Sequence, residues 1–149
     1  MRWVIIGAGA IGGLIGARLF ERGADVMLVA RGDHYRAIAA AGLRVEYPET
    51  TTTCRIPVTD QISSVSFAAD DVVVVATKSQ QSADALAALH VHAPRDTPIA
   101  CAQNGVENER LALRRFPTVY GVCVMCPATH LEPGVVRAHR APIAGILAL

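Results

Sequence analysis

Lys78 is the only lysine in a chain with thirteen arginines, and it closely follows four consecutive valines in Val72-Val-Val-Val-Ala-Thr-Lys78. An ammonium is a compact charge that turns toward several acceptors, whereas a guanidinium is a rigid fork that stays charged. A site that needs the first is poorly served by the second. Three other stretches carry chemistry by type and spacing. Gly7-Ala8-Gly9-Ala10-Ile11-Gly12 is a GxGxxG run, informative only with a strand before it and a helix after it. In that setting Gly7 allows the tight turn, Gly9 lets a pyrophosphate approach the backbone, and Gly12 lets the helix pack against the strand. The free N–H groups at the helix start then attract the phosphates.

Arg31 stands where sites for NAD usually carry an acid that holds the ribose hydroxyls. A guanidinium there pairs with a 2′-phosphate instead, so the expected cofactor is NADP(H). Asp33 is the competing candidate, with helix capping as its plainer role. Gln103-Asn104-Gly105 contains an Asn-Gly turn. The Asn104 amide both donates and accepts, which suits a ribose or a substrate hydroxyl.

These residues need elements that bring them to one place. Arg2–Gly7, Asp25–Ala30, Asp71–Ala76, Pro98–Ala102 and Val119–Met125 read as strands. Val72–Val75 lacks polar alternation, as expected of a strand buried on both faces. Helical character runs over Ala10–Arg22 with Gly23 as C-cap, His34–Ala41 with Asp33 as cap and Gly42 as stop, Ser79–Leu89 with Ser79 as cap, and Gly105–Arg115 ended by Pro117. Leu43–Tyr47 and Cys54–Val58, with a Thr-rich linkage between them, suggest a hairpin or an edge pair. Val135–Arg137 and Ile143–Leu147 read as short strands after the Pro133-Gly134 turn. The alternation predicts one domain over residues 1–149: an α/β, Rossmann-type doubly wound fold, mostly parallel, with helices on both faces. Ligands bind beyond the C-terminal ends of such strands, where Gly7, Arg31, Lys78 and Asn104 fall.

Composition narrows the rest. At 52% hydrophobic and 18% charged residues the chain can build a substantial core. A net charge of +1 with scattered arginines gives no reason to expect nucleic acid or an anionic membrane. The N-terminal apolar run resembles a signal peptide, but the glycine spacing and the interruption by Arg18 and Glu21 argue for a soluble, cytoplasmic protein. Cys123-Val-Met-Cys126 has CxxC spacing within a strand-like stretch, where residues three apart face opposite sides. All four cysteines are expected to be buried apolar thiols, and no metal site is expected.

Taken together, the sequence resembles the ketopantoate reductases (2-dehydropantoate 2-reductases). The matching pieces are Gly7-Ala-Gly-Ala-Ile-Gly-Gly13, Ala30-Arg31, Lys78-Ser-Gln-Gln81, Gln103-Asn-Gly-Val-Glu-Asn-Glu109, Ala128–Val136 and Gly145. The resemblance implies hydride transfer from NADPH to a 2-keto acid, giving pantoate for pantothenate synthesis. It implies that the glycine loop holds the pyrophosphate, that Arg31 takes the 2′-phosphate, and that Lys78 and Gln81 contact the cofactor. Asn104 would hold the nicotinamide-side ribose and help position the substrate. His130 is a tempting acid, but a role in structure or cofactor packing is the expectation.

Members of that family continue into a helical C-terminal domain that supplies a lysine general acid. This chain ends at Leu149 with no second lysine, so the expectation is a domain that binds NADP(H) and turns over poorly alone. Lys78 and Asn104 then play supporting catalytic roles only. Two alternatives remain. One is a non-catalytic NADP(H)-binding sensor or partner module; the other is the cofactor half of another 2-hydroxy-acid dehydrogenase. The apolar end Ile143–Leu149 calls for a cover: a missing continuation, a second copy in a homodimer, or a partner subunit.

Overall fold

The structure is a computed structural model, and it describes residues 1–148. Twelve strands and four α-helices follow in chain order: β1 (Arg2–Ile6), α1 (Ala10–Glu21), β2 (Asp25–Val29), α2 (Gly32–Ala41), β3 (Leu43–Glu46), β4 (Thr51–Cys54), β5 (Val58–Thr59), β6 (Val72–Val75), α3 (Ser82–His92), β7 (Ile99–Cys101), α4 (Glu107–Leu113), β8 (Val119–Gly121), β9 (Cys123–Met125), β10 (Ala128–Thr129), β11 (Val135–Ala138) and β12 (Ile146–Ala148). Six of the strands form one parallel sheet in the order β5-β2-β1-β6-β7-β8.

The period-2 alternation of a strand assigns each central residue to a face. Val4 and Ile6 of β1, with Val73 and Val75 of β6, enter a core covered by Leu86 and Leu89 of α3 and Ala112 of α4. Ile5 and Val74 point the other way, into a core shared with Leu14 and Ala17 of α1 and Ile38 of α2. Apolar residues on both faces are therefore what a doubly covered sheet requires. The fold is the expected Rossmann-type arrangement. Arg2 adds a tether at the far end of the sheet, donating from Nε (3.1 Å) and Nη2 (2.6 Å) to the two oxygens of the buried Asp71 carboxylate.

A second sheet, in the order β10-β11-β3-β4, packs against α1. Its parallel pair β11–β3 joins segments about ninety residues apart and brings Val136 up to the glycine-rich start of α1. A Cβ at Gly13 would lie 2.8 Å from Val136 Cγ2. β12 and β9 form a separate antiparallel ribbon. Beside α1, an open apolar cleft of about 740 Å³ includes Leu14, Val74, Ala100, Tyr120, Ile143 and Leu147 in its lining. Among the described residues no helix is long and apolar enough to cross a membrane.

Several local expectations are corrected. The hairpin partner of Leu43–Glu46 is Thr51–Cys54, not Cys54–Val58, and Val58–Thr59 pairs with β2 instead. Ser79–Gln81 is a 3-10 turn, so α3 starts at Ser82 and Ser79 is not its cap. Helix α4 is confined to Glu107–Leu113. Val119–Met125 breaks into β8 and β9, which belong to different sheets, and the last strand lies at Ile146–Ala148. Asp33 does not cap α2: the N-cap is Arg31, without a side-chain hydrogen bond, and Asp33 pairs with Arg36.

The thiols also divide. Cys54 and Cys101 are buried as expected, Cys126 is half-buried, and Cys123 is exposed. Burial pushes the Cys101 thiol up to about 11, helped by the Glu109 charge, and burial also raises Cys54 and Cys126. Among the described residues no cluster of three metal-ligating side chains occurs. With a thiol-specific disulfide reagent near pH 8, Cys123 should react in the native protein, while Cys54 and Cys101 should react only on unfolding. Prompt native reaction of Cys101 would contradict this packing.

Candidate functional site

The parallel register puts four strand ends side by side. Ile6 of β1 lies opposite both Val29 of β2 and Val75 of β6, and Val75 lies opposite Cys101 of β7. The chain leaves these ends as Arg31, Gly7, Lys78 and Asn104, in that order along one edge. Neighbouring strands are about 4.8 Å apart, so the row spans roughly 14 Å. The structure thus gathers the predicted residues on one edge of the sheet. Arg31, Lys78 and Asn104 are exposed there, and among the described residues neither Arg31 nor Lys78 is in an ion pair. Gln81 is exposed one turn beyond Lys78, its N–H bonded to the Lys78 carbonyl at 2.8 Å.

The glycine loop sits tightly on this edge. Gly7 has φ +95°, and a Cβ there would come 2.9 Å from Thr77 N. A Cβ at Gly12 would lie 2.0 Å from the Gly7 carbonyl oxygen and 2.9 Å from Ala76 Cβ. Gly9 is the opposite case: nothing lies within 4 Å of its would-be Cβ, so that side is open. Gly9 is also the N-cap of α1, without a side-chain cap, and the first turn has no acidic residue. The Gly13 N–H closes the first helical bond onto Gly9 O at 2.7 Å, so the N–H groups of Ala10, Ile11 and Gly12 precede it. An open, uncapped, acid-free helix start fits a phosphate group.

Beneath Lys78 and Asn104 runs a buried polar network that sequence reasoning missed. Gln103 Nε2 donates to Thr77 O (3.0 Å) and to Ser82 Oγ (2.5 Å). The Ser82 hydroxyl donates to Asn108 Oδ1 at 2.8 Å, and Asn108 Nδ2 donates to Asn104 O at 3.3 Å. Ser79 Oγ–H reaches the same carbonyl at 3.3 Å. Ser82 and Asn108 are almost fully buried. These bonds tie the Lys78 turn to the Asn104 turn from below. Gln103 and Asn108 lie within a quoted motif, but nothing in their spacing reveals that Ser82 is the partner of both.

A second missed residue is His34. Its Nε2 lies 2.6 Å from Ala8 O, and Gly134 N donates to its Nδ1 at 2.9 Å. The His130 ring packs on it, centroids 4.0 Å apart, with its own Nδ1 2.9 Å from Val135 O.

A doubly wound parallel sheet with this glycine turn at its central strand end defines a Rossmann-type α/β domain. The chain belongs to the ketopantoate reductase PanE/ApbA family, whose family model matches residues 3–145. It is 37% identical over 137 residues to a 2-dehydropantoate 2-reductase of Pyrococcus horikoshii, an alignment covering 92% of this chain and 44% of that protein. Among solved structures it is similar to a PanE/ApbA family ketopantoate reductase from Ralstonia eutropha JMP134 (TM-score 0.83, 28% identity, 94% of this chain and 47% of the other). It is also similar to a D-mandelate dehydrogenase in a ternary structure with NADH and anilino(oxo)acetate (TM-score 0.88, 25% identity, 99% of this chain and 47% of the other). The chain spans less than half the length of these three relatives.

Replacing Asn108 by Leu keeps the branched shape but leaves the Ser82 hydroxyl without its acceptor and the Asn104 carbonyl with Ser79 alone. The expected loss is about 2 kcal/mol in urea unfolding. An unchanged midpoint would mean the network does not hold the two turns.

Proposed function

We propose that the Gly7–Asn104 edge binds NADP(H), and that the chain is the dinucleotide-binding part of a 2-keto-acid reductase of the 2-dehydropantoate 2-reductase kind. The observation that carries this is the glycine turn: closed at Gly12, where a carbon atom cannot fit, and open at Gly9, where a phosphate can approach. In this reading Gly7, Ala8, Gly9, Ala10, Ile11 and Gly12 form the cradle for the pyrophosphate: Gly7, its own N–H bonded to Val29 O, makes the turn, Ala8 and Gly9 carry the loop, and Ala10, Ile11 and Gly12 offer N–H groups at the helix start. Arg31 pairs with the 2′-phosphate. The pairing of Asp33 with Arg36 supports that choice, since it occupies the nearest carboxylate and leaves Arg31 unpartnered among the described residues.

A reduced nicotinamide held on this edge would supply the hydride for a keto carbon. Lys78 and Gln81 orient the cofactor from the β6 side. Asn104, on a turn braced by Asn108, holds a ribose hydroxyl and helps set the substrate. Reduction of a ketone also needs a proton at the developing alkoxide. Lys78 belongs to the cofactor side, and His130 has its Nδ1 on Val135 O and its ring against His34. In this reading the acid and the pocket that closes on the keto acid are supplied from outside these residues. The apolar cleft beside α1, with exposed Ile143, Ile146 and Leu147 near it, is a surface for a second copy or a partner subunit. A cytoplasmic location accords with this reading.

A second reading has specific support: the likeness to D-mandelate dehydrogenase favours the cofactor half of a dehydrogenase for another 2-hydroxy acid, with NAD(H) in place of NADP(H). A sensor or partner module without chemistry would share the same cofactor edge.

Two measurements test the proposal. Fluorescence titration should give tighter binding of NADPH than of NADH. Arg31→Ala should weaken NADPH about tenfold, roughly 1.4 kcal/mol, and leave NADH nearly unchanged; equal wild-type affinities would overturn the Arg31 assignment. Mixed with NADPH and ketopantoate, or with an aryl 2-keto acid, this chain alone should show binding but little oxidation of NADPH. Robust turnover would mean that the proton donor is among these residues after all.

A further inference from the structure

Both ring nitrogens of His34 are engaged, and the partners fix its protonation. Ala8 O is only an acceptor, so Nε2, at 2.6 Å, carries the proton. Gly134 N–H is only a donor, so Nδ1, at 2.9 Å, is unprotonated. The ring is therefore the neutral Nε2–H tautomer. One partner is the second residue of the glycine loop; the other lies a hundred positions away, in the turn before β11. Gly134 is itself anchored. Its carbonyl accepts from Arg44 N of β3 at 2.9 Å, and its missing side chain makes room for Ala37, 2.9 Å from where a Cβ would stand. The glycine loop is thus tied through one imidazole to the second sheet.

A charged ring does not suit this setting. A proton on Nδ1 would face the Gly134 N–H, donor against donor. The glycine loop presents only its carbonyl to the ring, and the Glu132–Gly134 turn only its N–H. Just past the end of β10, the titratable neighbour is His130, its ring centroid 4.0 Å away. On its own helix the nearby charges are Arg31, Asp33 and Arg36, all exposed, with Asp33 and Arg36 paired to each other. Burial is the main influence lowering the His34 pKa below 6.5; the Ala8 hydrogen bond opposes it, and His130 adds to it.

We propose that His34 is a positioning residue for the cofactor: as the neutral tautomer it clamps the Ala8 carbonyl to the Gly134 turn, and its protonation on Nδ1 breaks the bond to Gly134, unties the glycine loop from the second sheet and weakens dinucleotide binding. This rests on the reading that the loop binds a dinucleotide. The sign follows from the lowered pKa. The unfolded state takes up the proton first, so the clamp's contribution is whole above about pH 6.5 and is lost as pH falls below it.

The test compares the wild type with His34→Gln, which keeps a donor toward Ala8 but cannot titrate, and with His34→Phe, which keeps only the ring. NADP⁺ affinity is measured by calorimetry near pH 7.5 and near pH 5. The ligand's own 2′-phosphate titrates around pH 6, so the quantity read is the ratio of wild-type to variant Kd at each pH. His34→Phe should weaken binding about tenfold near pH 7.5. The wild-type to His34→Gln ratio should rise several-fold toward pH 5. Without ligand, ¹⁵N shifts should report the Nε2–H tautomer at neutral pH. Where His34→Phe fails to fold, His34→Gln and the tautomer decide. A protonated Nδ1, or variants that match the wild type at both pH values, overturns the proposal while leaving the dinucleotide reading standing. A wild type with the Nε2–H tautomer that binds neither NADP⁺ nor NAD⁺ overturns the dinucleotide reading, and the binding role of His34 with it.

Discussion

Position 12 has no room for a carbon atom. A Cβ there would sit 2.0 Å from the Gly7 carbonyl oxygen and 3.0 Å from Ile5 Cγ2, so α1 can rest directly on the end of β1 only if this residue is glycine. That contact sets the height of the helix start above the sheet. It leaves the N–H groups of Ala10, Ile11 and Gly12 facing an open space rather than a side chain. The other close approaches on α1 extend it: Gly13 admits Val136 of the second sheet, and Gly16 admits Leu28 of β2, whose Cδ2 is 2.8 Å from the would-be Cβ. One helix with three interior glycines, a weak helix by propensity, is kept helical by tertiary packing because its backbone, not its side chains, must meet its neighbours.

From that contact the remaining parts of the edge follow by register. With Ile6, Val29 and Val75 in line and Cys101 beside Val75, whatever follows each strand arrives at the same level. The loops are then braced by different means. The glycine loop is held by His34 and the far turn at Gly134. The Lys78 and Asn104 turns are held by Gln103, Ser82 and Asn108. In each case the loop that carries the chemistry is positioned by a buried or half-buried neighbour whose hydrogen bonds reach across the chain, and pre-organisation of that kind is what a binding edge gains from a rigid scaffold.

The sequence made the local parts of this legible. Uninterrupted valines in Val72–Val75 marked a strand buried on both faces, and GxGxxG between a strand and a helix marked the turn. Gly23 and Gly42 stopped helices where they stand, at φ +82° and +90°. The failures have physical causes. The Thr-rich stretch before Cys54 reads as a linkage, but β-branched threonine suits an exposed strand, and the hairpin partner begins three residues earlier, at Thr51. Asp33 and Ser79 have the residue type of caps, but other partners claimed them: Arg36, one turn along the same helix, for the first, and Asn104 and Asn108, from across the fold, for the second. The pairing of β11 with β3, the Ser82–Asn108 bond and the His34–Ala8 bond join segments from 26 to about 90 residues apart. No periodicity or spacing encodes such contacts.

The account stands or falls on which surface receives a dinucleotide. An amide ¹H–¹⁵N correlation map of the chain, recorded with and without NADP⁺, tests this most directly. Shifts should gather at Gly7–Gly13, Arg31–Asp33, Thr77–Gln81 and Gln103–Gly105. Shifts confined instead to the apolar cleft around Tyr120, Ile143 and Leu147, with the glycine loop unmoved, would contradict it.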